Sequence, residues 1–106
     1  VAPLMEAPFA LADHTLWVVA SGHYMMGQYG DAIALLGRLT AKESGHQLRA
    51  ACHAMLSQFE DARRYVKLTR EVLPDFNIEA RLRMVPLRLR EDLDHYREGL
   101  RLAGFT

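Results

Sequence analysis

The chain has few of the residues that mark several large classes of protein. It contains one cysteine, so no disulfide can form within it, and a reducing cytoplasm is the expected compartment. Its 13 basic and 13 acidic side chains give a formal net charge of zero, which provides no overall field to attract nucleic acid or an anionic membrane. Its apolar runs, such as residues 16–20, are far shorter than the ~20 residues that cross a bilayer. Neither nucleic acid nor a membrane is an expected partner.

The sequence also lacks the motifs that carry common chemistries. The glycine-containing stretch at residues 27–30 has no Lys-Ser/Thr after it and no strand before it, so it does not predict a phosphate-binding loop. Cys52 and His53 are adjacent, and neighbours on a helix point in different directions, so a small buried side chain is the favoured reading of Cys52. The five histidines are scattered without the spacing of a zinc site: His14, His23, His46, His53 and His95. We therefore expect no enzyme activity, no cofactor and no metal.

Helical periodicity covers almost the whole chain, and no strand pattern is present. We expect either Asp13 or Thr15 to cap the first helix, Asn77 to cap a short one, and Gly104 to end the last. Pro74 is expected to stop a helix, because the residue before a proline disfavours the helical conformation. The predicted helices are residues 13–26, 31–40, 46–56, 61–72, 77–84 and 90–102.

Part of the chain repeats after 30 residues. Residues 25–32, Met-Met-Gly-Gln-Tyr-Gly-Asp-Ala, align with residues 55–62, Met-Leu-Ser-Gln-Phe-Glu-Asp-Ala. Small residues recur on both helices of each pair, which lets the helices approach closely, and an aromatic residue recurs in the turn, where it is expected to fill the corner: Ala20, Ala32, Tyr29 and Ala50, Ala62, Phe59. Such pairs bury their apolar faces by stacking on neighbours.

On these residues the chain resembles the tetratricopeptide repeat (TPR) family. The matching positions are Ala20, Gly27, Tyr29, Ala32 and Leu36, then Ala50, Phe59, Ala62, Val66 and Pro74. The pattern departs from the family at Ser57, which replaces a turn glycine, and at His23 and His53, where tyrosine is usual. The resemblance implies an all-α fold in which antiparallel helix pairs stack as a short right-handed solenoid. The expected single domain, residues 1–106, comprises repeat 1 at about 13–42, repeat 2 at about 43–74 and capping helices at about 77–104.

The TPR resemblance also implies a concave groove lined by the first helix of each pair, where a peptide or helix binds. The expected groove residues are Trp17, Ser21 and Tyr24 from the first repeat and Gln47 and Ala51 from the second. Aromatic side chains are enriched at such interfaces. An alternative is that Trp17 packs against the chain's own segment around Pro8-Phe9.

The tail, residues 98–105 (Glu-Gly-Leu-Arg-Leu-Ala-Gly-Phe), resembles the end of TPR regions that close bacterial adenylate or guanylate cyclase-like signalling proteins. That resemblance implies a C-terminal TPR segment of a larger bacterial signalling protein, acting as a non-catalytic protein-interaction or scaffolding module. The alternative is a self-association module, such as a homodimer, that holds catalytic domains together.

Overall fold

The fold is all-helical in the computed structural model, which describes residues 12–105, and no strand occurs in that range. A short 3₁₀ helix, Lys42–Gly45, precedes the third α-helix. The six α-helices of the described range are α1 (Asp13–Met25), α2 (Tyr29–Leu36), α3 (His46–Met55), α4 (Phe59–Val72), α5 (Ile78–Leu82) and α6 (Arg90–Ala103).

Most helix ends lie where the sequence predicts them. Asn77 accepts a hydrogen bond from the Ala80 N–H and caps α5, and Gly104 ends α6 with a φ of 112°. Helices α2 and α4 each begin two residues before the predicted start, and the residue before the first turn is a glutamine in both, Gln28 and Gln58. Helix α2 also ends at Leu36, well before the predicted residue 40.

The predicted cap of α1 is wrong. Ala12 is the cap residue and makes no side-chain hydrogen bond to the helix. The Asp13 carboxylate instead accepts hydrogen bonds from the Thr40 and Ala41 N–H groups, each at 2.9 Å, and from the Thr40 hydroxyl. These bonds lower the pKa of Asp13, the Ala41 N–H most strongly. The residue therefore ties the start of α1 to the loop that follows α2.

The two turns within the helix pairs have the same backbone geometry. Gly27 and Ser57 both adopt the left-handed conformation, with φ of 77° and 61°. The next residues, Gln28 and Gln58, have φ/ψ of −94°/65° and −92°/68°. The 30-residue repeat is therefore present in the backbone as well as in the sequence.

A histidine and a glutamine fasten each turn. The Nδ1 atom of His23 lies 2.6 Å from Gln28 Oε1, and that of His53 lies 2.7 Å from Gln58 Oε1. The backbone N–H of each glutamine donates to the carbonyl of the same histidine at 2.8 Å. Histidine at the position where tyrosine was expected thus closes the turn from both its ring and its backbone.

Helix α3 lies at the centre of the molecule, in contact with α2, α4 and α6. Its central position explains why almost every residue from Gln47 to Ala54 is buried. The four predicted small residues are completely buried and allow close helix approach: Ala20, Ala32, Ala50 and Ala62. The aromatic residues of the turns differ, since Tyr29 packs on Tyr24 at 5.2 Å between ring centroids, whereas Phe59 is 41% exposed. Phe59 does not fill the corner predicted for it.

Candidate functional site

All five predicted groove residues are buried. Their exposed fractions are 7% for Trp17, 4% for Ser21, 0% for Tyr24, 5% for Gln47 and 0% for Ala51. The first three lie on α1 and the other two on α3, as the repeat alignment requires. The five residues therefore lie in the interior of the protein and do not form an open binding face.

Helix α6 packs against α1 and α3 and covers the residues predicted to line the groove. The Tyr96 ring meets Trp17 edge to face, with 6.3 Å between ring centroids. Gly99 faces both Tyr24 and Ala51, and a Cβ atom added to it would lie 2.9 Å from Ala51 Cβ. Glycine is needed at this position because the backbone of α6 touches the two groove helices.

Two hydrogen bonds hold the start of α6 against the first helix pair. The Tyr24 hydroxyl donates to the His95 carbonyl oxygen at 2.8 Å, and the Tyr29 hydroxyl lies 2.9 Å from His95 Nε2. The His95 ring also packs on the Tyr24 ring, at 4.4 Å between centroids. Burial raises the pKa of the Tyr24 phenol, so the hydroxyl keeps the proton that it donates.

Use of the five groove residues by a partner stays a prediction, and it requires α6 to leave the groove. The alternative packing of Trp17 on Pro8-Phe9 lies outside the described residues. Within them, Trp17 contacts Tyr96 and lies under the Arg81 guanidinium, whose carbon is 5.6 Å from the indole centroid.

The side chains that could carry chemistry are either buried in the core or paired with other charges. Cys52 is completely buried, and that burial raises the pKa of its thiol to about 12, so it is not a thiolate at neutral pH. On the surface, Arg97 of α6 pairs with Asp94 on the same helix and with Glu79 on α5. Between residues 12 and 105, no group of three or more His, Cys, Asp or Glu side chains is arranged to hold a metal ion.

An apolar cleft of about 370 Å³ lies between the end of α4 and α5. Three of its apolar side chains are largely exposed, Val72 at 57%, Leu73 at 47% and Met84 at 75%. The full lining is Val72, Leu73, Pro74, Asp75, Phe76, Asn77, Ala80, Arg81 and Met84. Exposed apolar side chains grouped in this way are typical of protein-interaction sites. The sequence contains one sign of this cleft, which was not used above. Val72 and Leu73 are adjacent just before Pro74, at a helix end where polar residues are usual if the end is solvated.

No helix within the described part of the chain combines the length and apolar character that crossing a membrane requires. Comparison of the chain with models of known families, with curated proteins and with solved structures finds no match.

Proposed function

We propose that the chain is a non-catalytic protein-interaction module of the TPR kind whose own last helix fills its groove. The repeated turn supports this proposal, because the Gly27 and Ser57 turns share their backbone conformation and their histidine–glutamine bond. Contacts between consecutive helices, α1 with α2, α2 with α3 and α3 with α4, fit a right-handed stack of antiparallel pairs. Helices α5 and α6 then act as the cap of that stack.

The observation that carries the interaction role is the apolar cleft between α4 and α5. Since α6 occupies the groove, a partner that leaves the fold intact binds elsewhere, and this cleft presents Val72, Leu73 and Met84 to solvent. An apolar side chain of a partner protein or peptide would gain about 1.5–3 kcal/mol by leaving water for such a surface. Asp75 and Arg81 at its edge would supply polar contacts around that anchor.

The wider context is proposed from the tail resemblance. The module would be the C-terminal TPR segment of a larger bacterial signalling protein of the adenylate cyclase-like kind, in the cytoplasm, where it connects that protein to a partner. Neither nucleic acid nor a membrane is the proposed partner, because acidic residues pair with the basic ones: Arg90 lies 4.0 Å from Asp94, and Arg64 lies 3.4 Å from Asp61.

Site-specific cross-linking tests the interaction role. A photo-reactive residue at position 73 is compared in cells with one at position 60, because Leu73 and Glu60 are both exposed and lie at opposite ends of α4. We expect one defined adduct from position 73 and none from position 60. The purified partner should then bind Leu73→Asp roughly tenfold or more weakly than wild type and Glu60→Ala unchanged. Equal binding of the partner to Leu73→Asp would remove the cleft as the interface.

Self-association is the alternative, and the outer side of α1 favours it. Val18 and Val19 are 40% and 42% exposed there, next to each other on a helix that also buries Leu16 and Trp17. Light scattering after size-exclusion chromatography distinguishes the two functions. A dimer that becomes a folded monomer in Val18→Glu or Val19→Glu supports self-association, and a wild-type monomer excludes it at the concentration tested. Trp17→Glu is unsuitable, because Trp17 is 7% exposed and a charge there would unfold the chain.

A further inference from the structure

A second cleft lies beside Trp17, on the other side of Arg81 and Met84 from the apolar cleft. It has a volume of about 330 Å³ and is formed by the start of α1, the 3₁₀ helix and the connection from α5 to α6. Its lining is Asp13, His14, Trp17, Ser44, Arg81, Met84, Val85 and Pro86. A volume of this size is at the lower end of the range for small-molecule sites.

The polar groups around this cleft include donors that have no acceptor between residues 12 and 105. Among the residues that the structure describes, the buried Trp17 Nε1 atom has no hydrogen-bond partner, and neither does the buried Arg81 Nε. Arg81 is half-buried and makes no ion pair with any carboxylate in the described range. Such groups are uncommon in folded proteins and call for a specific explanation.

The carboxylate that lines this cleft, that of Asp13, makes no ion pair with Arg81. Both oxygens of Asp13 are taken up by the N–H groups and hydroxyl of Thr40 and Ala41. The Ser44 hydroxyl donates to the Ala41 carbonyl oxygen at 2.7 Å. The cleft thus contains a guanidinium that stacks on Trp17 but has no carboxylate partner among the described residues, whereas the acceptors of Asp13 bond to the loop.

We propose that this cleft binds a small monocarboxylic acid with an apolar body. The planar Arg81 guanidinium matches the two oxygens of a carboxylate, and such an oxygen would give the Trp17 N–H an acceptor. Met84, Val85 and Pro86 provide an apolar wall for the body of the acid. A singly charged group is favoured over phosphate, because one guanidinium faces the site and repulsion from the ionised Asp13 at its edge grows with the charge of the ligand.

This site is distinct from the interaction role proposed above, although the two clefts share Arg81 and Met84; binding of a small acid, read from Trp17, tests this site alone. A ligand in the cleft would touch the start of α1 and the α5–α6 connection together, and so would hold α6 in the groove. Binding to the folded state alone would raise the apparent stability of the protein in proportion to the logarithm of ligand concentration.

Trp17 is the only tryptophan of the chain, so its fluorescence reports on this cleft directly. The protein is titrated with hexanoic acid and with benzoic acid, and in parallel with hexanamide, inorganic phosphate, and a short peptide ending in leucine with a free or an amidated C-terminus. We expect saturable binding of an acid with a Kd on the order of millimolar or tighter, and at least roughly tenfold weaker binding of the amide, because the charge-assisted bonds are lost. Stronger binding of the free-ended peptide than of either acid would assign the carboxylate to a protein terminus and overturn the small-molecule proposal.

Three variants test the residues. Arg81→Gln should weaken binding of the acid by roughly tenfold or more, whereas Arg83→Gln, the same charge change at an exposed neighbour, should leave it unchanged. Met84→Glu places a repelling carboxylate on the apolar wall at a side chain that is 75% exposed, so it preserves the fold even if Arg81→Gln does not. Equal affinity for hexanoic acid and hexanamide, undiminished binding by Met84→Glu, tighter binding of phosphate, or no saturation by either acid would each refute the proposal.

Discussion

Replacement of Gly99 by alanine tests whether α6 rests on the groove helices as closely as the structure indicates. The added Cβ would collide with the Tyr24 hydroxyl and would lie 2.9 Å from Ala51 Cβ and 3.2 Å from Tyr24 Cζ. Overpacking of a buried contact costs about 1–3 kcal/mol, and loss of the Tyr24–His95 hydrogen bond adds about 1 kcal/mol. The better helix propensity of alanine returns at most about 1 kcal/mol. We expect a net destabilisation of about 1–3 kcal/mol.

Gly22 provides a matched control. It lies inside α1, is exposed, and has no atom within 4 Å of an added Cβ. Alanine there should stabilise the protein by about 0.5–1 kcal/mol, because glycine loses more backbone entropy on folding. The two glycine-to-alanine changes should therefore have opposite signs.

Urea unfolding, followed by Trp17 fluorescence and by helical circular dichroism, measures both variants. With an m-value of about 1 kcal/mol/M for a small domain, the midpoint should fall by about 1–3 M in Gly99→Ala and rise by a smaller amount in Gly22→Ala. Adding Tyr24→Phe to Gly99→Ala should recover part of the loss, since the hydroxyl that the new Cβ meets is removed. A Gly99→Ala variant that gains stability as Gly22→Ala does would show that α6 is not packed in the groove.

Three further changes have defined outcomes. Ser57→Gly should raise the free energy of unfolding by about 1 kcal/mol, because Ser57 has a positive φ, and Gly27→Ser should lower it by a similar amount. Thermal unfolding measures both variants, and effects of the same sign would contradict the repeated turn. Asp13→Asn should destabilise the protein only where Asp13 is ionised: its pKa is lowered from 3.8 on folding, so its contribution is complete above that value and is lost as the pH falls through the folded pKa. Denaturation from pH 2.5 to 7 should show the wild-type advantage growing with pH up to about 5 and then staying constant, and a constant difference at every pH would refute the role of the charge. Tyr29→Phe removes the hydrogen bond to His95 and should lower the free energy of unfolding by about 1 kcal/mol. Urea unfolding measures this change, and an unchanged stability would show that water already competes for that hydrogen bond.

The local elements could be predicted from sequence because local signals specify them. Asn77 and Gly104 act at the helix ends as expected. The starts of α2 and α4 could not be placed, because the residue that sets them is a glutamine, which has no strong capping preference of its own. The Gln28 side chain instead contacts the ring of His23, five residues earlier, a pairing that the spacing alone does not indicate.

The packing of α6 over the predicted groove could not be predicted, because it depends on contacts between residues far apart in the sequence. Tyr24 bonds to the backbone of His95, 71 residues later in the chain, and sequence spacing gives no information about such a pair. One residue carried a signal: Gly99 stands inside a helix, where glycine is unfavourable unless another backbone or side chain approaches closely. The role of Asp13 was missed for the same reason, since its acceptors serve a loop 27 and 28 residues away.

Because α6 and the groove belong to one chain, any outside peptide competes with a tethered ligand. Residues 83–89 connect α5 to α6, and a short connection of this kind keeps the attached segment at an effective concentration on the order of millimolar. Each bond between α6 and the groove multiplies that advantage, so a peptide that binds the isolated groove with micromolar affinity would be excluded at ordinary cellular concentrations. The tether therefore sets an affinity threshold, and a partner that uses the groove must exceed it or first bind α6 itself.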